Sequence, residues 1–196
     1  MTRRLVLAAS SLLLAASAAG AQAHMWSLNA GAGIPSQGAW GSNTQTGVST
    51  GVGMLFKLTH GWSLGPVVNN SMFKADRSKL SGAQDYRVNW SSLGVGVRRT
   101  FGPEDYLVRP YVGVNAGLAF VEQRVSLSGP AETSYRAGAN AGPEGGLLLN
   151  IDPAQLDIHM SYNALRTSTM RFADAFATNT LHAYRIQFGL TFPGLW

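Results

Sequence analysis

Large apolar residues stand at every second position along several segments of this chain, with polar or small residues between them. The last segment is the clearest, and its apolar residues are Tyr184, Ile186, Phe188, Leu190 and Phe192. A period of two is that of a β-strand whose two faces meet different surroundings, and no helix produces it. The chain is therefore predicted to be all-β, with one face of each strand against an apolar medium.

The same alternation recurs seven times upstream, beginning with Met25 to Ile34, and predicts eight strands. The connections alternate in length: short at 59–61, 100–105 and 152–155, and long and polar at 35–46, 74–85, 122–136 and 166–180. Short turns at one end and long loops at the other are typical of membrane barrels in which both termini lie on the periplasmic side. The predicted fold is an eight-stranded antiparallel up-and-down transmembrane β-barrel with four external loops.

One segment breaks the alternation. Tyr86, Val88 and Trp90 share one parity, whereas Leu93, Val95 and Val97 share the other. If all six face the same apolar medium, one extra residue must be accommodated between them. We therefore expect a β-bulge at Ser91-Ser92.

The first 23 residues have the composition of a secretory signal peptide. Arg3 and Arg4 precede an apolar, Ala-rich run, and Ala21-Gln22-Ala23 offers small residues for cleavage. The run is short of the ~20 strongly apolar residues that a membrane-spanning helix needs. We expect residues 1–23 to be removed and residues 24–196 to form one barrel domain in the bacterial outer membrane.

Charge and cysteine content exclude several function classes. Without Arg3 and Arg4 the chain keeps 13 basic and 10 acidic residues, scattered without a basic block, which argues against nucleic-acid binding. The absence of cysteine excludes disulfides and thiolate metal sites. The four histidines lack a ligand spacing and no phosphate-binding loop occurs, so neither a metal nor another cofactor is expected.

Aromatic residues cluster near the predicted strand ends, where membrane barrels carry interfacial girdles. The girdle predicted at the short turns comprises Trp26, Phe56, Trp62, Phe101 and Phe192. The girdle predicted at the long loops comprises Phe73, Tyr86, Phe120, Tyr135, Tyr162 and Tyr184.

Charged residues on the other face of these strands predict a filled lumen. Glu144, Asp157, His159 and Arg185 come from three consecutive strands, and Arg109 shares the inward face of the fifth. A buried carboxylate is costly unless it is paired, so we expect Arg185 to lie opposite Asp157 or Glu144. Eight strands enclose only enough width for side chains, and a polar plug is therefore predicted.

The run Arg109-Pro110-Tyr111-Val112-Gly113 and its continuation to Gly117 resemble a stretch common in small outer-membrane barrels of the OmpA, OmpX and OmpW type. The last strand, ending at Phe192 with four residues beyond it, resembles the terminal signal that such proteins present to the barrel-assembly machinery. The resemblance implies contact with that machinery, with outer-membrane lipid and with lipopolysaccharide.

Three functions remain open. A structural or surface-interaction barrel is favoured, because the predicted lumen face is mostly polar and small. A narrow conduit for small hydrophobic molecules, as in OmpW-like proteins, would need an apolar lumen patch. A lipid A deacylase is the third, since His159, Ser161 and Asp174 are similar to the His, Ser and acid of that enzyme family; however, the alternation turns Ile158 and Met160, not His159 and Ser161, towards lipid.

Overall fold

Eight antiparallel strands close into a barrel in the computed structural model, which describes residues 24–80, 85–126, 131–172 and 176–193. Each strand pairs with its sequence neighbours, and β8 returns to β1, where Phe192 lies opposite Trp26. The strands are β1 (His24–Ser36), β2 (Thr44–Lys57), β3 (Trp62–Ala75), β4 (Asp85–Thr100), β5 (Val108–Ser126), β6 (Glu132–Asn150), β7 (Gln155–Phe172) and β8 (Phe176–Pro193). The predicted eight-stranded up-and-down barrel is confirmed.

Two short helical segments join strands at opposite ends of the barrel. Helix α1 (Gly38–Asn43) links β1 to β2, and a 3₁₀ turn (Thr59–Gly61) links β2 to β3. We call the two ends of the barrel the α1 end and the terminal end, since the described chain begins and finishes at the latter. No helix within the described ranges is long and apolar enough to cross a membrane.

The alternation of the sequence becomes an apolar outer wall. Residues such as Val112, Leu118 and Phe188 are more than half exposed on the outside, whereas their strand neighbours Tyr111 and Gln187 are buried in the lumen. Contact of such a wall with water would be unfavourable, whereas contact with the apolar core of a lipid bilayer is favourable. The outer face therefore provides the contact with membrane, and the inner face provides the candidate site.

The predicted β-bulge at Ser91-Ser92 is wrong. β4 pairs without interruption with β3 and with β5, and Ser91 and Ser92 lie opposite Asn70 and Asn69. Leu93 and Val95 face outwards as expected, but Tyr86, Val88 and Trp90 face the lumen and are 1% exposed or less. The change of parity reflects a lumen that becomes apolar near the α1 end, not an extra residue.

The connections at the α1 end are shorter than predicted. β5 continues to Ser126 and β6 begins at Glu132, so most of the expected loop at 122–136 is strand. β7 likewise runs to Phe172 and β8 begins at Phe176. Inward-facing apolar residues such as Val121 and Phe172 favour this extension, because they bury each other only while the strands stay paired.

The aromatic residues divide between the two faces. Trp26, Trp62, Tyr184 and Phe192 lie on the outer wall with 36–45% of their surface exposed. Tyr162 also faces outwards but is partly covered, because the His182 ring stacks against it and the Tyr184 ring lies tilted beside it at 5.1 Å between centroids. Phe73 and Tyr86, which were predicted in the girdle at the long loops, are instead buried in the lumen at 1% exposure.

Candidate functional site in the barrel lumen

A buried arginine holds four strands together in the half of the lumen nearer the terminal end. The guanidinium of Arg98 (β4) donates to Glu144 Oε1 (β6) at 2.5 Å and to Asp157 Oδ2 (β7) at 3.1 Å. Tyr111 (β5) donates its hydroxyl to Asp157 Oδ1 at 2.8 Å, and Arg98 lies over its ring at 4.6 Å from the centroid. We call Arg98, Tyr111, Glu144 and Asp157 the lumen clamp.

The lumen clamp satisfies most of the polar groups that it buries. Arg98 and Glu144 each expose 8% of their side-chain surface, and Asp157 exposes none. Charges this deeply buried are stable only when paired and hydrogen-bonded, as they are here. The network therefore fixes four consecutive strands at one level and blocks the lumen there.

His159 extends the clamp towards β8. Its Nδ1 lies 3.5 Å from Asp157 Oδ1, and its Nε2 lies within 2.9 Å of the Gln187 side-chain oxygen. Gln187 in turn donates to the Ser49 hydroxyl across the lumen. The polar layer therefore continues from β4 through β8 to β2.

Sequence reasoning missed Arg98 and chose Arg185 in its place. Arg185 is buried, but it donates to the Ser71 hydroxyl at 3.0 Å and lies over the Trp90 ring. In the β7–β8 register Asp157 faces Gly189, four residues from Arg185, which is about 13 Å along a strand. The predicted pairing of Arg185 with Asp157 or Glu144 is therefore wrong. Arg98 could have been found from its parity, because the outward Val97 places it inside.

Arg109 is buried near the terminal end but does not join the clamp. It lies opposite Leu148 in the register of β5 and β6, and its Nε has no partner among the described residues. It lines a small cavity of about 50 Å³ together with Gln155. Of the five residues predicted for the polar lumen, Glu144, Asp157 and His159 are brought together, whereas Arg109 and Arg185 lie apart from them.

The half of the lumen near the α1 end is apolar, which the sequence analysis did not foresee. Trp40 of α1 folds into the barrel, meets Phe73 edge-to-face at 5.3 Å, and donates its Nε1 hydrogen to the His182 carbonyl. Around it lies a set of buried side chains that we call the aromatic plug: Trp40, Phe73, Ala75, Tyr86, Val88, Trp90, Ala119, Val121, Leu165, Met170, Phe172, Leu181 and Ala183. The expectation of a mostly polar and small lumen face is wrong for this half.

The lumen opens into a cavity at the terminal end. Its volume is about 370 Å³, and it is lined by His24, Lys57, Glu104, Asn150 and Gln155 among others. At the level of the lumen clamp the space shrinks to about 20 Å³, beside Arg98, Glu144 and His159. The lumen thus has a wide mouth at the terminal end and, at the clamp, space for about one water molecule.

Two of the three residues of the possible hydrolytic site, His159 and Ser161, are hydrogen-bonded to other residues. His159 and Ser161 both face the lumen at 6% and 4% exposure, and the Ser161 hydroxyl accepts from Asn163 while His159 bonds Gln187. Asp174 lies outside the described residues. Within residues 24–80, 85–126, 131–172 and 176–193, no three His, Cys, Asp or Glu side chains are grouped to hold a metal ion.

Known proteins share this architecture. Neisserial surface protein A (NspA) superposes with a TM-score of 0.60 at 17% identity, covering 87% of this chain and 97% of that one. OprG from Pseudomonas aeruginosa gives 0.50 at 12% identity, covering 88% and 98%. Ail, the attachment invasion locus protein of Yersinia pestis, gives 0.49 at 13% identity, covering 87% and 99%. At these identities the likeness to NspA and OprG concerns the fold.

Sequence comparison identifies the family. No curated protein sequence matches the chain. The family model described as the outer membrane protein beta-barrel domain matches residues 5–192, which include nearly every residue of the eight strands. With its closed eight-stranded barrel and apolar outer wall, the chain belongs to the outer membrane protein β-barrel domain family.

Proposed function

We propose that the protein is a closed barrel that serves the outer membrane as a structural anchor and as a platform for interactions at its external end. The observation that carries this proposal is that both halves of the lumen are filled, one by the lumen clamp and the other by the aromatic plug. A rigid wall with four connections at the α1 end suits display of a surface better than passage of a solute.

Export and assembly follow from the two ends of the chain. We propose that residues 1–23 direct secretion and are removed after Ala23, so that the mature chain begins at His24. Strand β1 begins at that residue. We further propose that β8, with Phe192 on its outer face, is the strand that the barrel-assembly machinery engages. Edman sequencing of protein extracted from membranes would check the cleavage position.

Conductance tests the closed lumen. Purified protein inserted into planar lipid bilayers is expected to give no steady ion current, because the lumen clamp leaves no continuous water path. The variant Arg98→Ala/Glu144→Ala/Asp157→Ala/Trp40→Ala removes the charges of the lumen clamp and the Trp40 side chain of the aromatic plug, leaves no unpaired charge in the clamp, and should give more current than the unaltered protein. A steady current through the unaltered protein would refute the proposal.

The aromatic plug favours a second candidate, a narrow conduit for small hydrophobic molecules. Such a ligand would have to displace Trp40 and enter among Phe73, Trp90 and Phe172. This candidate predicts saturable quenching of tryptophan fluorescence by a small brominated hydrocarbon, and loss of the effect in Trp40→Phe/Trp90→Phe. The anchor proposal predicts no saturable quenching.

A role without catalysis fits the position of His159 and Ser161. Both lie inside the barrel, away from the acyl chains on which a lipid A deacylase acts. We therefore expect membranes that contain the protein to keep their lipid A acyl chains intact, as mass spectrometry would show. Loss of an acyl chain that disappears in Ser161→Ala would count against the proposal.

A further inference from the structure

Three basic residues lie side by side on the outer wall near the α1 end. Lys74 of β3 faces Arg87 of β4, and Arg87 faces Arg124 of β5, so that they occupy one row across three strands. All three side chains are exposed. Residues directly opposite in an antiparallel pair have Cβ atoms about 5 Å apart, which brings the three charges close together.

This basic row has no neutralising protein group among the described residues. In the part of the chain that the structure describes, Lys74, Arg87 and Arg124 form neither an ion pair nor a side-chain hydrogen bond. Of the nearby carboxylates, Asp85 is bound to Arg77, and Glu122 lies two residues from Arg124 on the same face. Like charges directly opposite each other destabilise a sheet, so an anion from outside the protein would relieve the row.

The wall beneath the basic row changes from polar to apolar towards the middle of the barrel. Asn70 donates to Asn89 at 2.6 Å and to Ser91 at 2.8 Å, which satisfies polar side chains on the outer face. Three successive rows across β3–β6 carry this change: Met72, Asn89, Glu122 and Tyr135, then Asn70, Ser91, Phe120 and Ala137, then Val68, Leu93, Leu118 and Ala139. This order matches the depth profile of a membrane leaflet, from charged headgroup to acyl chain.

Two clefts on this wall provide space for a ligand. One of about 220 Å³ is lined by Arg87 and Arg124 with Asp85, Tyr86, Ser126 and Ala131. The other, of about 440 Å³, is lined by residues of the rows below, including Asn89, Ser91, Phe120, Glu122 and Tyr135. An arginine-lined cleft fits a phosphate, which accepts paired hydrogen bonds from a guanidinium, and the larger cleft offers both polar and apolar contacts.

We propose that Lys74, Arg87 and Arg124 bind the phosphate groups of a lipid A molecule in the outer leaflet. Its sugar hydroxyl and amide groups lie over Asn89, Ser91 and Glu122, and an acyl chain follows the wall past Phe120 and Leu118. The inference rests on the proposed outer-membrane role but not on closure of the lumen.

Native mass spectrometry of the full chain in nanodiscs tests this site. Phosphatidylcholine nanodiscs would contain either diphosphoryl lipid A or the same lipid A after enzymatic dephosphorylation. The unaltered protein should retain the phosphorylated lipid preferentially. Arg87→Gln/Arg124→Gln should weaken that retention about 25-fold, at about fivefold for each arginine near an anionic surface.

The matched control removes the same charge at the opposite end of the barrel. Lys57→Gln/Arg99→Gln lowers the net charge by two at the terminal end and should leave lipid A retention unchanged. Equal retention of the two lipid A forms, or equal loss in both variants, would overturn the proposal.

Two competition experiments distinguish a lipid from other anions as the ligand of the basic row. Inorganic phosphate at millimolar concentration, or soluble dextran sulfate, should not displace lipid A; displacement by either would assign the basic row to a free anion or to a soluble polyanion and refute the lipid site. If the barrel conducts ions but still retains lipid A through Arg87 and Arg124, the closed lumen is refuted and the lipid site is not.

Discussion

Arg98 is the residue on which the polar half of the lumen depends. It bonds two carboxylates from different strands, and its guanidinium also covers the ring of Tyr111. Burial makes these contacts interdependent, since each charge in the clamp is tolerable only while its partners are present. A single residue thus joins β4 to β6 and β7, which are not its neighbours in the sheet.

Replacing Arg98 by Met should destabilise the barrel by about 3–5 kcal/mol, because it leaves Glu144 and Asp157 buried without a cation. Urea unfolding in lipid vesicles, followed by tryptophan fluorescence, measures the change. The control is Lys57→Met, which breaks the exposed pair with Glu104 and should cost less than about 1 kcal/mol. Equal losses in the two variants would mean that the lumen clamp contributes no more than a surface ion pair.

Two of the glycines of β6 differ in what surrounds them. A Cβ added to Gly142 would overlap the backbone carbonyl of Tyr162 on β7, whereas one added to Gly145 would lie 3.5 Å from the Tyr111 carbonyl oxygen, an ordinary contact. β6 and β7 can approach closely at Gly142 only because it lacks a side chain.

Gly142→Ala should therefore destabilise the barrel by about 1–3 kcal/mol, since the overlapping atom is backbone and cannot rotate away. Gly145→Ala is the matched control on the same strand and should be neutral or slightly stabilising. The same urea unfolding experiment compares them. The explanation fails if the two alanine variants unfold at the same urea concentration.

β4 shows which features of a strand can be predicted from the sequence and which cannot. Its existence and its position between two neighbouring strands follow from alternation alone. The orientation of Tyr86, Val88 and Trp90 does not, because an apolar side chain suits both lipid and a dry lumen. If the alternation at Leu93 and Val95 is continued along a regular strand, it places these three side chains inside the barrel.

Across the whole molecule, a polar network fills one half of the lumen and apolar side chains fill the other half. The polar layer near the terminal end follows from inward charges whose need for partners is evident from the sequence, although Arg98 and not the predicted Arg185 supplies the cation. The aromatic plug near the α1 end depends on Trp40 entering from a connecting helix, which no periodic pattern marks. Pairings that cross the barrel depend on register, and register is set by the closed sheet rather than by any single segment.

The division between a lipid-facing wall and a filled interior is tested most directly by tryptophan quenching in vesicles of dibrominated phosphatidylcholine. One variant, Trp26→Phe/Trp62→Phe/Trp196→Phe, keeps only the buried Trp40 and Trp90; the other, Trp40→Phe/Trp90→Phe/Trp196→Phe, keeps only Trp26 and Trp62 on the outer wall. We expect strong quenching of the outer pair and little of the inner pair. Equal quenching of the two pairs would contradict the account.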